Sequence, residues 1–145
     1  SQPLFPMALI LIVEKDLGSA DLLSSVLKIY GHASVHAATA EAGLHLLASL
    51  KPDLVITEWL LPDWSGQQFC QAIGQVPGIK GAVPAILVLT IDHELERETV
   101  LAAGARELMQ KPFSLPHLRD CIDALLPTAD LPRPRAGSEL LQQRC

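Results

Sequence analysis

Five short apolar runs alternate with stretches whose apolar residues recur at helical spacing. The first run, Ala8 to Val13, is unbroken, as a parallel strand covered on both faces requires. Asp16 to Tyr30 follows, with Ala20, Leu23, Leu27 and Tyr30 on one helical stripe and Gly31 as its C-cap. His32 to Ala37 is a strand with polar interruptions, which suits a sheet edge. Thr39 caps a second helix through Leu44, Leu47 and Leu50, and Pro52 stops it. Leu54 to Thr57 is the third strand. Pro62, Asp63 and Gly66 form a loop into a third helix that ends near Gly74, and Val76 to Gly81 reads as a turn. Ala85 to Leu89 is the fourth strand, Asp92 to Ala103 a polar-faced helix closed by Gly104, Glu107 to Met109 a short fifth strand, and Leu115 to Leu126 the last helix.

Strands and helices alternating at this spacing predict an α/β domain: a doubly wound, five-stranded parallel sheet with helices on both faces. Right-handed crossovers then gather the strand C-termini on one edge, where ligands bind in such folds. The residues placed there are Glu14 and Lys15, Glu58 and Trp59, Thr90 and Ile91, and Lys111.

Length and composition sharpen this picture. The 145 residues suit one hydrophobic core. Residues 1–7 read as an N-terminal extension, 8–126 as the domain, and 127–145 as a proline-rich linker or tail whose last residues, from Ser138, carry a helix-start signal. With 49% hydrophobic residues but only 4% aromatic, the core must be built from Leu, Ile, Val and Ala. A net charge of −5 gives no reason to expect direct nucleic-acid contact by this domain. The run Leu9–Val13 is too short to span a membrane and lacks the flanks of a signal peptide, so a cytoplasmic protein is expected. Cys70, Cys121 and Cys145 are too few for a disulfide framework or a zinc site, and the first two read as small core residues. The five histidines show no metal-ligand spacing and read as surface residues.

Several segments, correctly ordered, resemble the receiver domains of two-component signalling. These are Ile10-Leu11-Ile12-Val13-Glu14, Pro52-Asp53-Leu54-Val55-Ile56, Leu61-Pro62-Asp63-Trp64-Ser65-Gly66, Leu89-Thr90, Ala102-Ala103-Gly104-Ala105 and Lys111-Pro112-Phe113. The resemblance covers roughly residues 8–126. It implies a receiver fold, a cis bond at Lys111-Pro112, and a phosphorylation site assembled from a carboxylate nucleophile, a divalent cation held by three oxygen ligands, a hydroxyl and a lysine.

Here the resemblance also implies that the site is altered. Receivers place two adjacent acidic residues after the first strand, where this chain has Glu14 and Lys15. At the position of the phosphoacceptor aspartate stands Glu58, preceded by Thr57. Thr90 and Lys111 match the family's hydroxyl and lysine, Leu108 replaces the common aromatic switch residue, and bulky Ile91 follows Thr90. An ammonium cannot ligate magnesium, so Lys15 removes a ligand, and it is expected to sit where the metal would, paired with Glu14 or Glu58. The extra methylene of Glu58 shifts its oxygens by about 1 Å, a misplacement that can cost about 10²-fold in rate. Glu58 can also reach toward Lys111 without any phosphate.

The expectation is therefore a non-catalytic, pseudo-receiver module that is not an enzyme, carries no cofactor and no metal, and shows little or no phosphorylation. Its partners would be a second copy or another protein on the face of the fourth helix, fifth strand and fifth helix (parts of 92–103 and 115–126), a sensor histidine kinase, or an attached output domain. Two alternatives remain open: a working phosphoacceptor using Glu58, and a small-molecule sensor built on the ring of Glu14, Lys15, Glu58, Thr90 and Lys111. Trp59 and Trp64 flank the site loop, in position either for recognition or for packing over it.

Overall fold

The structure, a computed structural model, describes residues 8–76 and 83–126. Its elements are β1 (Leu9–Val13), α1 (Leu17–Ile29), β2 (Ala33–Ala37), α2 (Ala40–Leu50), β3 (Leu54–Glu58), α3 (Gly66–Ile73), β4 (Ala85–Thr90), α4 (Arg97–Ala102), β5 (Glu107–Gln110) and α5 (Leu115–Leu125). All strand pairs are parallel and the order is β2-β1-β3-β4-β5. The doubly wound, five-stranded sheet expected from the alternation is thus present. The expected tail and most of the turn from Val76 to Gly81 lie outside the described residues.

Side chains alternate across a strand, so one sheet feeds two cores. Leu11, Val13, Val55, Ile86 and Val88 point to one face, where they pack with Leu47 of α2, Phe69 and Ile73 of α3 and Val100 of α4. Ile10, Ile12, Leu54, Ile56, Leu87 and Leu89 point to the other, against Ala20 and Leu27 of α1 and Leu118, Ile122 and Leu125 of α5. This explains the unbroken apolar runs of the central strands. Strand β2 is half-buried over most of its length, as an edge position dictates. No helix among the described residues is long and apolar enough to cross a membrane. Cys70 is a buried free thiol. Cys121 is fully buried in the core between the sheet, α1 and α5, as its reading as a small core residue expects.

The caps follow the local chemistry. The Asp16 carboxylate accepts from Ser19 N at 2.9 Å and opens α1. The Thr39 hydroxyl accepts from Ala42 N at 3.1 Å and opens α2. Ser65 and Gln68 form a reciprocal capping box on α3. Tyr30 holds the C-cap of α1, and Gly31, with φ 92°, supplies the left-handed residue that follows. The fourth helix departs from expectation, since it starts at Arg97 rather than Asp92. The Asp92 side chain accepts from Glu94 N at 2.9 Å and its carbonyl from Leu95 N at 3.2 Å, a local turn that competes with helix.

Candidate functional site

The strand order reverses between β1 and β3, and the two carboxylates sit on either side of that crevice. Glu14 follows β1 directly. Glu58 is the last residue of β3, one residue later than the strand end read from the sequence. Thr90 ends β4 and is fully buried. Lys111 follows β5, its main chain fixed by a 2.8 Å hydrogen bond from Lys111 N to the Thr90 carbonyl. The Lys111-Pro112 bond is cis, as the resemblance implies.

Parallel pairing thus gathers Glu14, Glu58, Thr90 and Lys111, which lie far apart in sequence. The Lys111 ammonium forms a direct hydrogen-bonded ion pair with the Glu58 carboxylate and stands 3.5 Å from Glu14 Oε1. The side chains are largely withdrawn from water: Glu58 is 11% exposed, Glu14 12% and Lys111 26%. Burial lowers the pKa of Lys111, but the hydrogen bond and charge of Glu58, with Glu14 behind them, outweigh this and hold it above 10.5. For Glu58, burial pushes the carboxyl up; Lys111 opposes this, Glu14 reinforces it, and the pKa ends above its ordinary 4.5.

A raised carboxyl pKa has a definite sign in stability. Between the unfolded value near 4.5 and the folded one, the native chain binds more protons than the unfolded chain, so the contribution of Glu58 falls as pH rises through that window. Denaturant melts of wild type and Glu58→Gln from pH 4 to 7 should show any advantage of wild type shrinking with rising pH. A widening advantage would mean that the pKa is depressed instead.

Lys15 does not sit where it was expected. It is exposed, and both carboxylates pair with Lys111. The main chain turns outward into α1 here: Asp16 N donates to Glu14 Oε2 at 3.0 Å, and Asp16 is itself held by the Ser19 hydroxyl at 2.6 Å. The Thr90 hydroxyl accepts from Asp92 N at 3.0 Å. Leu108 is half-buried against the core on the α2–α4 side of the sheet, and Ile91 is exposed.

Two contributors were missed in the sequence. His36, read as a surface histidine, is half-buried at the end of β2, with Nε2 2.7 Å from the Glu14 carbonyl oxygen. Its register beside β1 was the available signal. The Asp63 carboxylate accepts from Ala40 N at 2.9 Å and Glu41 N at 3.0 Å, tying the loop after Glu58 to the start of α2. Trp59 and Trp64 are half-buried and pack against the core. Trp59 lies so close to Gly66 that a Cβ there would stand 2.5 Å from its ring and 2.6 Å from its carbonyl. Gly66→Ala should therefore destabilise the fold by about 1–3 kcal/mol, read by denaturant melts, and alter Trp fluorescence, since the backbone carbonyl cannot swing aside.

The donor set does not fit a divalent cation. Such an ion needs converging oxygens, and magnesium demands them in near-octahedral geometry. The two carboxylates here converge on an ammonium, and no group of three His, Cys, Asp or Glu among the described residues is arranged to hold a metal.

Residues 10–123 match the family described as response regulator receiver domain. The phosphate regulon transcriptional regulatory protein PhoB of Rhizobium meliloti is 37% identical over 102 residues, covering 70% of this chain and 43% of that protein. Protein PilH of Pseudomonas aeruginosa is 30% identical, covering 83% of this chain and 98% of PilH. Among solved structures, the chemotaxis response regulator CheY4 of Vibrio cholerae superposes with a TM-score of 0.74 at 25% identity, covering 83% of this chain and 99% of that one. The chain spans about half the length of the transcription regulators it matches.

Proposed function

This chain belongs to the response regulator receiver domain family, and we propose that within it the domain is a pseudo-receiver, a signal-transduction module that works by protein–protein contact with little or no phosphorylation. The observation that carries this reading is the Lys111 ammonium bonded to Glu58 and near Glu14, in the crevice where phosphoryl transfer would need a free carboxylate and a cation. The nucleophile is engaged and the donor set is incomplete. In this reading Glu58 holds Lys111 much as a phosphorylated side chain would, though with fewer acceptor oxygens and less charge.

The alternative, phosphorylation on Glu58, keeps the support of Thr90 and Lys111 at their strand ends. Yet Lys111 is already paired, while the Thr90 hydroxyl only accepts from Asp92 N and keeps its proton to donate. For the partner surface we propose the face of α4, β5 and α5. There the Arg97 guanidinium grips Glu107 through two bonds of 2.8 and 3.0 Å and ties α4 to β5, giving that face a fixed shape. A sensor kinase, an attached output domain or a second copy are the partners of this proposal, and the cytoplasm its location.

Mg²⁺ and beryllofluoride together test the reading, because they assemble as a phosphoryl mimic only on a working site. Trp59 and Trp64 flank that site and should report no saturable fluorescence change. A saturable, Mg²⁺-dependent response would overturn the proposal.

A further inference from the structure

The site opens into a groove that phosphoryl chemistry does not use. A pocket of about 300 Å³ lies between α1 and α5, at the lower end of the range for small-molecule sites. Ile12, Ile56 and Leu89 of the sheet form its floor, Leu22 and Leu23 of α1 and Phe113 its walls. Leu22 and Leu115 at its rim are exposed, at 69% and 49%. The helices beside it are held to each other, with the Tyr30 hydroxyl donating to the Leu115 carbonyl at 3.1 Å and the Arg119 guanidinium 5.2 Å over the Tyr30 ring. The polar end is the cluster of Glu14, Glu58 and Lys111.

We propose that this pocket binds a small amphiphile, an apolar body headed by an amine cation that pairs with Glu14 and Glu58. The inference rests on the reading of the site as unphosphorylated. Charge selects the head group. Two carboxylates face one ammonium, so the polar end carries a net negative charge, and Glu14 is only loosely paired, at 3.5 Å. Lys15 and Asp16, next in sequence to Glu14, are both exposed and of opposite sign, so together they leave that balance unchanged. An anionic head would have to displace a carboxylate from Lys111, whereas a cationic head completes the neutralisation. Size and lining select the body: the walls offer aliphatic and aromatic carbon, with room for a short chain or a single ring. A partner helix would cover Leu22 and Leu115 without filling the floor at Ile56.

The test is a titration of the isotopically labelled full chain with hexylammonium, hexanol and hexanoate, following the methyl signals of Leu22, Leu23, Ile56 and Leu115. Hexylammonium should shift these signals saturably and bind at least about tenfold more tightly than hexanoate. Glu14→Gln should weaken hexylammonium about tenfold while leaving hexanol unchanged. Leu22→Trp, at an exposed rim position, should block the mouth and abolish all binding, with signals elsewhere unmoved. No saturable shift, equal binding of hexanoate, or binding that survives Leu22→Trp would overturn the inference. Acetyl phosphate added to a parallel sample separates the two readings. A phosphoryl adduct defeats the pseudo-receiver assignment, whereas absence of both adduct and hexylammonium binding defeats the ligand proposal alone.

Discussion

Lys15→Asp combined with Glu58→Asp is expected to yield a chain that takes a phosphoryl group from acetyl phosphate in a Mg²⁺-dependent manner, well beyond any adduct on the wild type. The two changes act on different faults. Shortening the side chain at position 58 withdraws its oxygens from Lys111 and returns them by about 1 Å toward in-line attack, which is worth about 10²-fold in rate. Replacing exposed Lys15 exchanges a positive charge beside Glu14 for a negative one, which favours entry of a cation at the mouth of the crevice. Each single variant repairs one fault and should show far less adduct than the pair. Intact mass against time with and without Mg²⁺ reads the result. If the double variant stays unmodified, the obstacle lies elsewhere, with bulky, exposed Ile91 beside Thr90 as the next residue to reduce.

Lys111→Met should cost about 1–3 kcal/mol of stability, because it leaves Glu14 and Glu58 facing each other without their shared cation. The figure sits below the 3–5 kcal/mol typical of breaking a deeply buried pair, since the lysine is 26% exposed and water can partly replace it. A second signature accompanies the loss. With the opposing ammonium gone, burial and Glu14 act on Glu58 alone, and its carboxyl should titrate at still higher pH than in wild type. Adding Glu58→Gln to Lys111→Met should recover most of the stability by removing one of the two unpaired carboxylates. Denaturant melts of the three variants check this, and a loss that persists in the double variant would point to packing by the lysine stem instead.

The fold was legible because it depends on period and punctuation. Central strands such as Leu54–Glu58 feed both faces of the sheet and read as continuous apolar runs, and Thr39, Pro52 and Gly104 marked helix limits through backbone chemistry alone. The start of α4 was not legible, since apolar spacing does not reveal that Asp92 folds onto its own following residues. Strand ends told where Glu14, Glu58, Thr90 and Lys111 gather, because parallel topology fixes them on one edge. What sequence could not give was the choice among cations. Lys15 and Lys111 were both candidates to neutralise the carboxylates, and the turn of Asp16 into the cap of α1 sends Lys15 outward. His36 was missed for a similar reason: its contact is with the main-chain carbonyl of Glu14, just past the neighbouring strand, and only its register beside β1 pointed to it.

The central claim is that the paired crevice does not accept a phosphoryl group, and intact mass of the wild-type chain after incubation with acetyl phosphate and Mg²⁺ tests it most directly. An unchanged mass, under conditions that modify a working receiver run alongside, is the predicted result. A phosphoryl adduct mapped to Glu58 would contradict the account, for it would mean that Lys111 releases the carboxylate and that the site remains a working, if unusual, phosphoacceptor.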